Sequence, residues 1–373
     1  GTAIAVAASS GGPVPPRESL AKALHQAASA PTVSGITARI KFTNNLIDST
    51  DIQGSDPILN GASGRLWMST TSHQMRLELQ GQNGDAQVVV SDGAFSIYDP
   101  TSKTLYKGTL PSQGSKTQKS EPIPTVAQIQ SNLNKLMQQL NVVGPLPRNV
   151  AGQPAYKVVV SPKHDGGLLG DVQLAWDASH GIPLGIAIYS RNSSSPVLEL
   201  KATDISYGRV SSGDLTIKAP AGAKVVKVSS SADHAAKPNI KKHQAEVTGP
   251  AAVQSHLPFT LAAPEKLAGL PRQSVQLLDW GGHPAALVTY GQGLGGIAVI
   301  QQSASGQSSS SAPQGGDHQG LSLPTISING HSGQELATAL GTVVRFTSGQ
   351  VAYTVLGSVP PIAAESAARQ LAP

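Results

Sequence analysis

Residues 291–296, Gly-Gln-Gly-Leu-Gly-Gly, spell the glycine fingerprint that brings a backbone close to a dinucleotide pyrophosphate. That chemistry needs the last glycine to open a helix whose N-terminus meets the phosphates. Here the chain continues IAVIQQ, which is β-branched and strand-like, so the six residues read as a hairpin turn. The ten histidines are scattered, and no two stand at i, i+4 around an acid as a zinc hydrolase requires. His164-Asp165 lies in a glycine-rich turn and reads as a turn feature. Serine is abundant, yet no Gly-x-Ser-x-Gly elbow is there to make one a nucleophile. Asp48, Asp51 and Asp56 share a loop without the spacing of a helix-flanked calcium site. The absence of cysteine removes thiolate metal sites, a Cys nucleophile and any disulfide framework. Asn192-Ser-Ser194 fits a glycosylation acceptor, a pattern that chance supplies often. Nothing in this inventory makes an enzyme, and nothing in it implies a cofactor or a metal.

What remains is shape, and shape is set by alternation. Residues 64–110 run as short stretches of alternating apolar and polar side chains, broken by Gly81-Gln-Asn-Gly84, Ser91-Asp-Gly93 and Asp99-Pro-Thr-Ser-Lys103. Period two with Gly, Asn, Asp and Pro at the breaks predicts an antiparallel meander with one face buried and one wet. Before it, residues 18–30 carry Leu20, Ala23, Leu24 and Ala27 at helical spacing and stop at Pro31, and residues 32–46 read as a long first strand. After it, the apolar stripe Val126, Ile129, Leu133, Leu136, Met137 and Leu140 predicts a helix over 126–140 that must lie on something apolar. Strands resume over 154–161, 170–177, 182–190 and 197–207, with one or two more before residue 228.

Length and composition bound the organisation. A chain of 373 residues with 39% hydrophobic but only 13% charged and 4% aromatic residues predicts about two domains, loop-rich and β-dominated. The net charge of +5 is thinly spread, with no basic block that implies nucleic acid. The expected divisions are a tether or disordered N-terminus at 1–16, a half-barrel domain at 17–228, a polar linker at 229–255, and a smaller domain at 256–373. In the last, strands are expected over 258–262, 274–278, 285–290, 296–301, 326–328, 341–347 and 350–355. A mobile Ser/Gly/Gln loop is expected at 303–320, and a final helix over 361–371 with Ile362, Ala363, Ser366, Ala367 and Leu371 inward. The apolar run at 2–8 is too short to span a bilayer and reads either as the end of an anchor upstream of residue 1 or as an ordinary terminus.

Three stretches taken in succession carry a resemblance: SLAKALHQAASAPTVSGITARIKF, RLELQGQNGDAQVVVSDGAFSIYDPTSKTLY, and the run from NVAGQPAYKVVV to LELKATDISYG. Their order and spacing over 17–228 resemble the LolA/LolB-like superfamily of extracytoplasmic lipoprotein and lipid carriers, including the N-terminal domain of the sigma-E regulator RseB. Residues 256–371 look like an uncharacterised C-terminal module of sensor-like envelope proteins. The resemblance implies an α+β, β-dominated fold: a curved antiparallel half-barrel with covering helices, joined to a smaller α+β domain. It implies an extracytoplasmic, membrane-anchored or secreted protein of the bacterial cell envelope that binds and does not catalyse. A lipid or acylated ligand is the implied partner. The alternative is an envelope signal sensor or sigma-factor regulator acting through protein–protein contacts. Alternation then supplies the inward positions: Leu66, Met68, Met75, Leu77, Leu79, Phe95, Ile97, Leu136, Leu140, Val158, Leu174, Trp176, Ile186 and Ile188. Those side chains either fill the space between them or line a cavity for an acyl chain.

Overall fold

The structure is a computed structural model, and it describes residues 12–47, 61–81, 84–110, 122–228, 247–280, 283–304 and 323–372. The expectations for residues 1–11, for the acidic loop at 48–60, for most of the linker and for the Ser/Gly/Gln loop beyond residue 304 lie outside those residues.

Helix α1, Leu20–Ser29, opens where the Ser19 hydroxyl accepts a hydrogen bond from the Lys22 N–H, and it ends at Ala30, which is extended ahead of Pro31. Strands β1 (Gly35–Asn44), β2 (Ala62–Ser69), β3 (Gln74–Leu79), β4 (Ala86–Ser91), β5 (Ala94–Asp99) and β6 (Thr104–Thr109) form the meander that the alternation predicts. Helix α2 covers Val126–Leu136 and begins with a capping box between Thr125 and Gln128. It stops four residues earlier than the sequence pattern suggests. Met137 is its C-cap, and Leu140 opens a strand, β7 (Leu140–Val150), that the sequence reading lacks. Gly144, Pro145 and Pro147 look like strand breakers. They are accommodated because β7 is an edge strand whose register shifts between Val143 and Leu146. Strands β8 (Gln153–Pro162), β9 (Leu169–Asp177), β10 (Pro183–Ser190), β11 (Leu198–Tyr207) and β12 (Lys224–Val228) complete a twelve-stranded sheet in the order β12-β6-β5-β4-β3-β2-β1-β11-β10-β9-β8-β7.

All neighbours in this sheet are antiparallel except β12, which runs parallel to β6. The segment between β11 and β12 crosses the back of the meander as a strap, with a 3-10 turn at Ser212–Leu215. Here one expectation fails. The face assumed to be wet holds Trp67, Arg76, Gln87, Tyr98 and Leu105, all buried. Arg76 lies 4.8 Å from the Trp67 ring centroid, pairs with Glu78, and donates to Gln87 Oε1 (3.1 Å) and the Asp214 carbonyl (3.4 Å). Gln87 in turn accepts the Lys218 N–H (3.1 Å) and donates to the Lys218 carbonyl (3.5 Å). The buried charge is held because Glu78, Gln87 and the Asp214 carbonyl accept from its terminal nitrogens while Nε finds no partner, and the same bonds tie the strap down.

The second sheet has eight strands, β13 (Lys266–Leu267), β14 (Leu270–Trp280), β15 (His283–Tyr290), β16 (Ile297–Ser303), β17 (Thr325–Ile328), β18 (His331–Thr338), β19 (Gly341–Ser348) and β20 (Val351–Gly357), in the order β13-β14-β15-β16-β20-β19-β18-β17. Helix α3, Pro250–Gln254, packs on β14, and helix α4, Pro361–Leu371, packs on β17, β19 and β20. Among the described residues this domain holds the largest apolar cluster, from Val253 and Leu267 through Val288, Val299 and Val344 to Ala364 and Leu371. Residues 258–262 form no strand. Their backbone bonds instead to the side chains of Gln254 and of the fully buried Gln301, which both accepts from the Ala262 N–H and donates to its carbonyl. In α4 the buried residues are Ala364, Ala367, Ala368 and Leu371, and Ile362 is 74% exposed, so the inward stripe starts two residues later than expected.

Candidate binding face and seam cavity

Register pairing shows which side chains of the first sheet stand side by side. One row joins Ile36, Met68, Met75, Val90 and Phe95, and the next joins Ala38, Leu66, Leu77, Val88 and Ile97. Leu79 follows, between Gly64 and Ala86. On the other side of β1 the same face continues as Phe42, Leu200, Ile186, Leu174 and Val158, then as Leu198, Ile188, Val172, Val160 and Val142. Trp176 pairs with Tyr156 beside them. Thirteen of the fourteen sequence-derived positions thus share one face, Leu140 among them because it pairs with Pro162 two residues before Val142 meets Val160. No charged side chain interrupts these rows, while Arg39, Arg65, Arg76 and Glu78 occupy the opposite face.

The remaining position falls elsewhere. Leu136 is the last residue of α2 and is exposed, whereas Leu140 reaches the face as the first residue of β7 and not as part of the helix. Helix α1 covers part of the apolar face, with Ala23 packed among Tyr156, Val158 and Trp176. Helix α2 touches α1 and buries none of its own residues, so Val126, Leu136 and Met137 stay in contact with water. The sheet beyond α1 is left open in consequence. Leu174, Ile186 and Leu200 are 40%, 42% and 44% exposed although they sit side by side on interior strands. Alternation was the right signal for the face, and Val88, Val90, Leu198 and Leu200 extend it. The unbroken run Val88-Val89-Val90 blurred the period at the first pair.

The face carries no obvious reaction chemistry. Asp177 is buried, but Oδ1 accepts the N–H groups of Ser179 (2.7 Å) and His180 (2.8 Å), and Oδ2 accepts the Tyr207 hydroxyl (2.7 Å). The His180 ring lies against Tyr207, tilted by 40° with ring centroids 4.2 Å apart. This is a clamp on the turn between β9 and β10. Burial first, and then the bond to Asp177, push the Tyr207 hydroxyl well above the ordinary phenol range. The Tyr156 hydroxyl lies 2.6 Å from the Pro16 carbonyl and 2.8 Å from the Glu18 carboxylate, anchoring the chain ahead of α1. Burial followed by Glu18 pushes that hydroxyl up to about 12. Among the described residues no group of three His, Asp or Glu side chains could hold a metal.

At the end of the face toward β7 the two sheets meet. The turn between β8 and β9 docks on the second domain through Leu294 N–H to the Asp165 carbonyl (3.1 Å) and Leu168 N–H to the Ser358 carbonyl (2.9 Å). Glycine is required on both sides of this seam. A Cβ on Gly293, whose φ is +64°, would sit 2.5 Å from the Asp165 carbonyl oxygen, and one on Gly167, whose φ is +60°, would sit 2.2 Å from the Ser358 carbonyl oxygen. The fingerprint-like glycines thus form a tight connection from β15 to β16 that receives Asp165. Beneath the contact lies a cavity of about 350 Å³ lined by Leu140, Val160, Pro162, Leu169, Val172 and Leu294 among others. Leu140, Val160 and Val172 place it in continuity with the apolar face.

No protein-family model and no curated protein matches this chain. Among solved structures, the Pseudomonas aeruginosa MucA/MucB complex is matched over 93% of this chain and 96% of that one, at 17% identity and a TM-score of 0.42. MucB in complex with MucA(peri) is matched over 94% of each chain at 18% identity, with a TM-score of 0.39. A LolA superfamily protein from Nitrosomonas europaea matches 52% of this chain and 96% of its own length at 8% identity, with a TM-score of 0.23. The chain is similar to all three. These TM-scores all lie below 0.5.

Proposed function

We propose that this chain is an extracytoplasmic, non-enzymatic binding protein that holds a lipid or acylated ligand on the apolar face of its first sheet. The observation that carries this reading is the exposed row Leu174, Ile186 and Leu200, set among apolar rows that no charged side chain interrupts. Contiguous apolar surface left open on a folded domain marks a binding surface. A flexible methylene chain suits it, since a strongly curled sheet offers neither a deep slot nor fixed polar groups for a rigid ligand. Each methylene removed from water contributes about 0.8 kcal/mol, so a chain of about ten carbons gains roughly 8 kcal/mol before the cost of ordering it. Placement outside the cytoplasm follows the resemblance over residues 17–228.

The test is mass spectrometry of an organic extract of the purified protein, followed by uptake of a fluorescent fatty acid by the stripped protein. Copurified lipid and saturable uptake are expected. A clean extract together with no uptake would overturn the reading and favour the envelope regulator that acts through protein contacts.

A further inference from the structure

We infer that the seam cavity is a distinct site for the end of a single-chain anionic amphiphile, so that the ligand bridges the two domains. The inference rests on the acyl-binding reading for its chemistry and adds the location, the charge and the mechanical consequence. Three observations support it. First, a volume of about 350 Å³ has room for roughly ten groups the size of a water molecule, each about 30 Å³, which suits a medium-length acyl segment. Second, the walls supplied by Leu140, Val160, Leu169, Val172 and Leu294 are apolar, and they come from both domains.

Third, two cations adjoin lining residues. Lys163 lies between the lining residues Pro162 and His164, and its ammonium reaches the Met137 carbonyl at 3.2 Å. Arg191 stands 3.8 Å from Asp165 Oδ1 with its side chain 54% exposed. The lining carboxylate, Asp165, already accepts the Gly167 N–H (2.9 Å) and pairs with Arg191. The balance of Lys163 and Arg191 against Asp165 therefore favours a negative head group, either a carboxylate or a phosphate. A chain seated there touches Leu294 of the second domain and Val172 of the first at once. Occupancy then strengthens a seam that otherwise has few direct bonds.

The experiment titrates the full chain with laurate, dodecyl phosphate, dodecanol and dodecyltrimethylammonium by calorimetry. It also follows amide hydrogen exchange at Leu168 and Leu294, whose N–H groups bond across the seam. Expected results are binding of both anions at least tenfold tighter than the alcohol or the cation, slowed exchange at both amides, and at least tenfold weakening in Val172→Trp. Leu294→Trp, on an exposed turn that tolerates bulk, fills the same space if Val172→Trp folds poorly. Relative affinities of laurate and dodecyl phosphate distinguish a free fatty acid from a phosphate head group. If laurate binding is lost in Ile186→Glu but unaffected by either tryptophan, with seam exchange unchanged, the seam site is overturned while the open-face reading stands. Equal affinity for dodecanol overturns the anionic assignment. No binding of any of the four overturns the seam site, and the lipid extract then judges the open face separately.

Discussion

Leu174 on β9 and Ile186 on β10 oppose one another in register, and each keeps about two-fifths of its surface in contact with water. Interior strands of a folded sheet normally cover such pairs. Replacing Ile186 with Glu should therefore cost little stability, about 1 kcal/mol or less, because little packing is lost. The same change should weaken uptake of a fluorescent fatty acid at least tenfold. Urea unfolding and the uptake assay, run on the same preparation, check both halves, and a large stability loss would mean the face is core.

The back of the meander predicts the opposite behaviour. Arg76 is almost wholly buried between Trp67, Glu78 and Gln87, and it also holds the strap at Asp214. Arg76→Ala leaves the Glu78 charge and the Asp214 carbonyl without their partner, a loss of about 3 kcal/mol. The denaturant midpoint should fall accordingly, with faster amide exchange in β12 as the strap loosens.

In the second domain, Gln301→Leu is a nearly isosteric change that strands the Ala262 N–H and carbonyl together. Unpaired buried groups cost about 1–3 kcal/mol each, so a loss of at least about 2 kcal/mol is expected. The readout is thermal unfolding, together with exchange over residues 258–263, which should accelerate ahead of the sheet.

Glu335 gives a pH dependence. Burial first, then the charge and hydrogen bond of Glu365, raise its carboxyl above the ordinary 4.5, with Arg369 opposing. An acid raised in the folded state contributes stability that is complete below 4.5 and is lost as pH rises through the folded value. Glu335→Gln should thus be more stable than the parent near neutrality, and the gain should vanish at acid pH. Denaturation at a series of pH values checks it, and a gain that does not change with pH would contradict this account.

Much of this was legible in the sequence because period-two alternation directly encodes which side chains share a face. Leu66 and Met68, Met75 and Leu77, and Ile186 and Ile188 were found that way. The strand β7 was hidden because Gly144, Pro145 and Pro147 signal a break, and only the edge position lets them stay in a ladder. The buried back face was hidden because Arg76 and Glu78 look like solvent-facing residues. The signal for it was Trp67, an aromatic residue at a position assigned to water. The seam had no local signal, since Asp165 and Gly295 are brought together by the docking of two domains and not by spacing along the chain.

In the twelve-stranded sheet, β1 pairs with β11, so that Ile36 meets Tyr207 and Asn44 meets Leu198. The earliest and nearly the latest strands of the domain are central neighbours, and that pairing is where the ladder of the meander joins the ladder of the hairpins. A nascent chain that has not yet delivered residues 198–207 exposes a raw strand edge along Gly35–Asn44. Such long-range closure is slow. Until β11 arrives, that edge is a template on which another chain can pair.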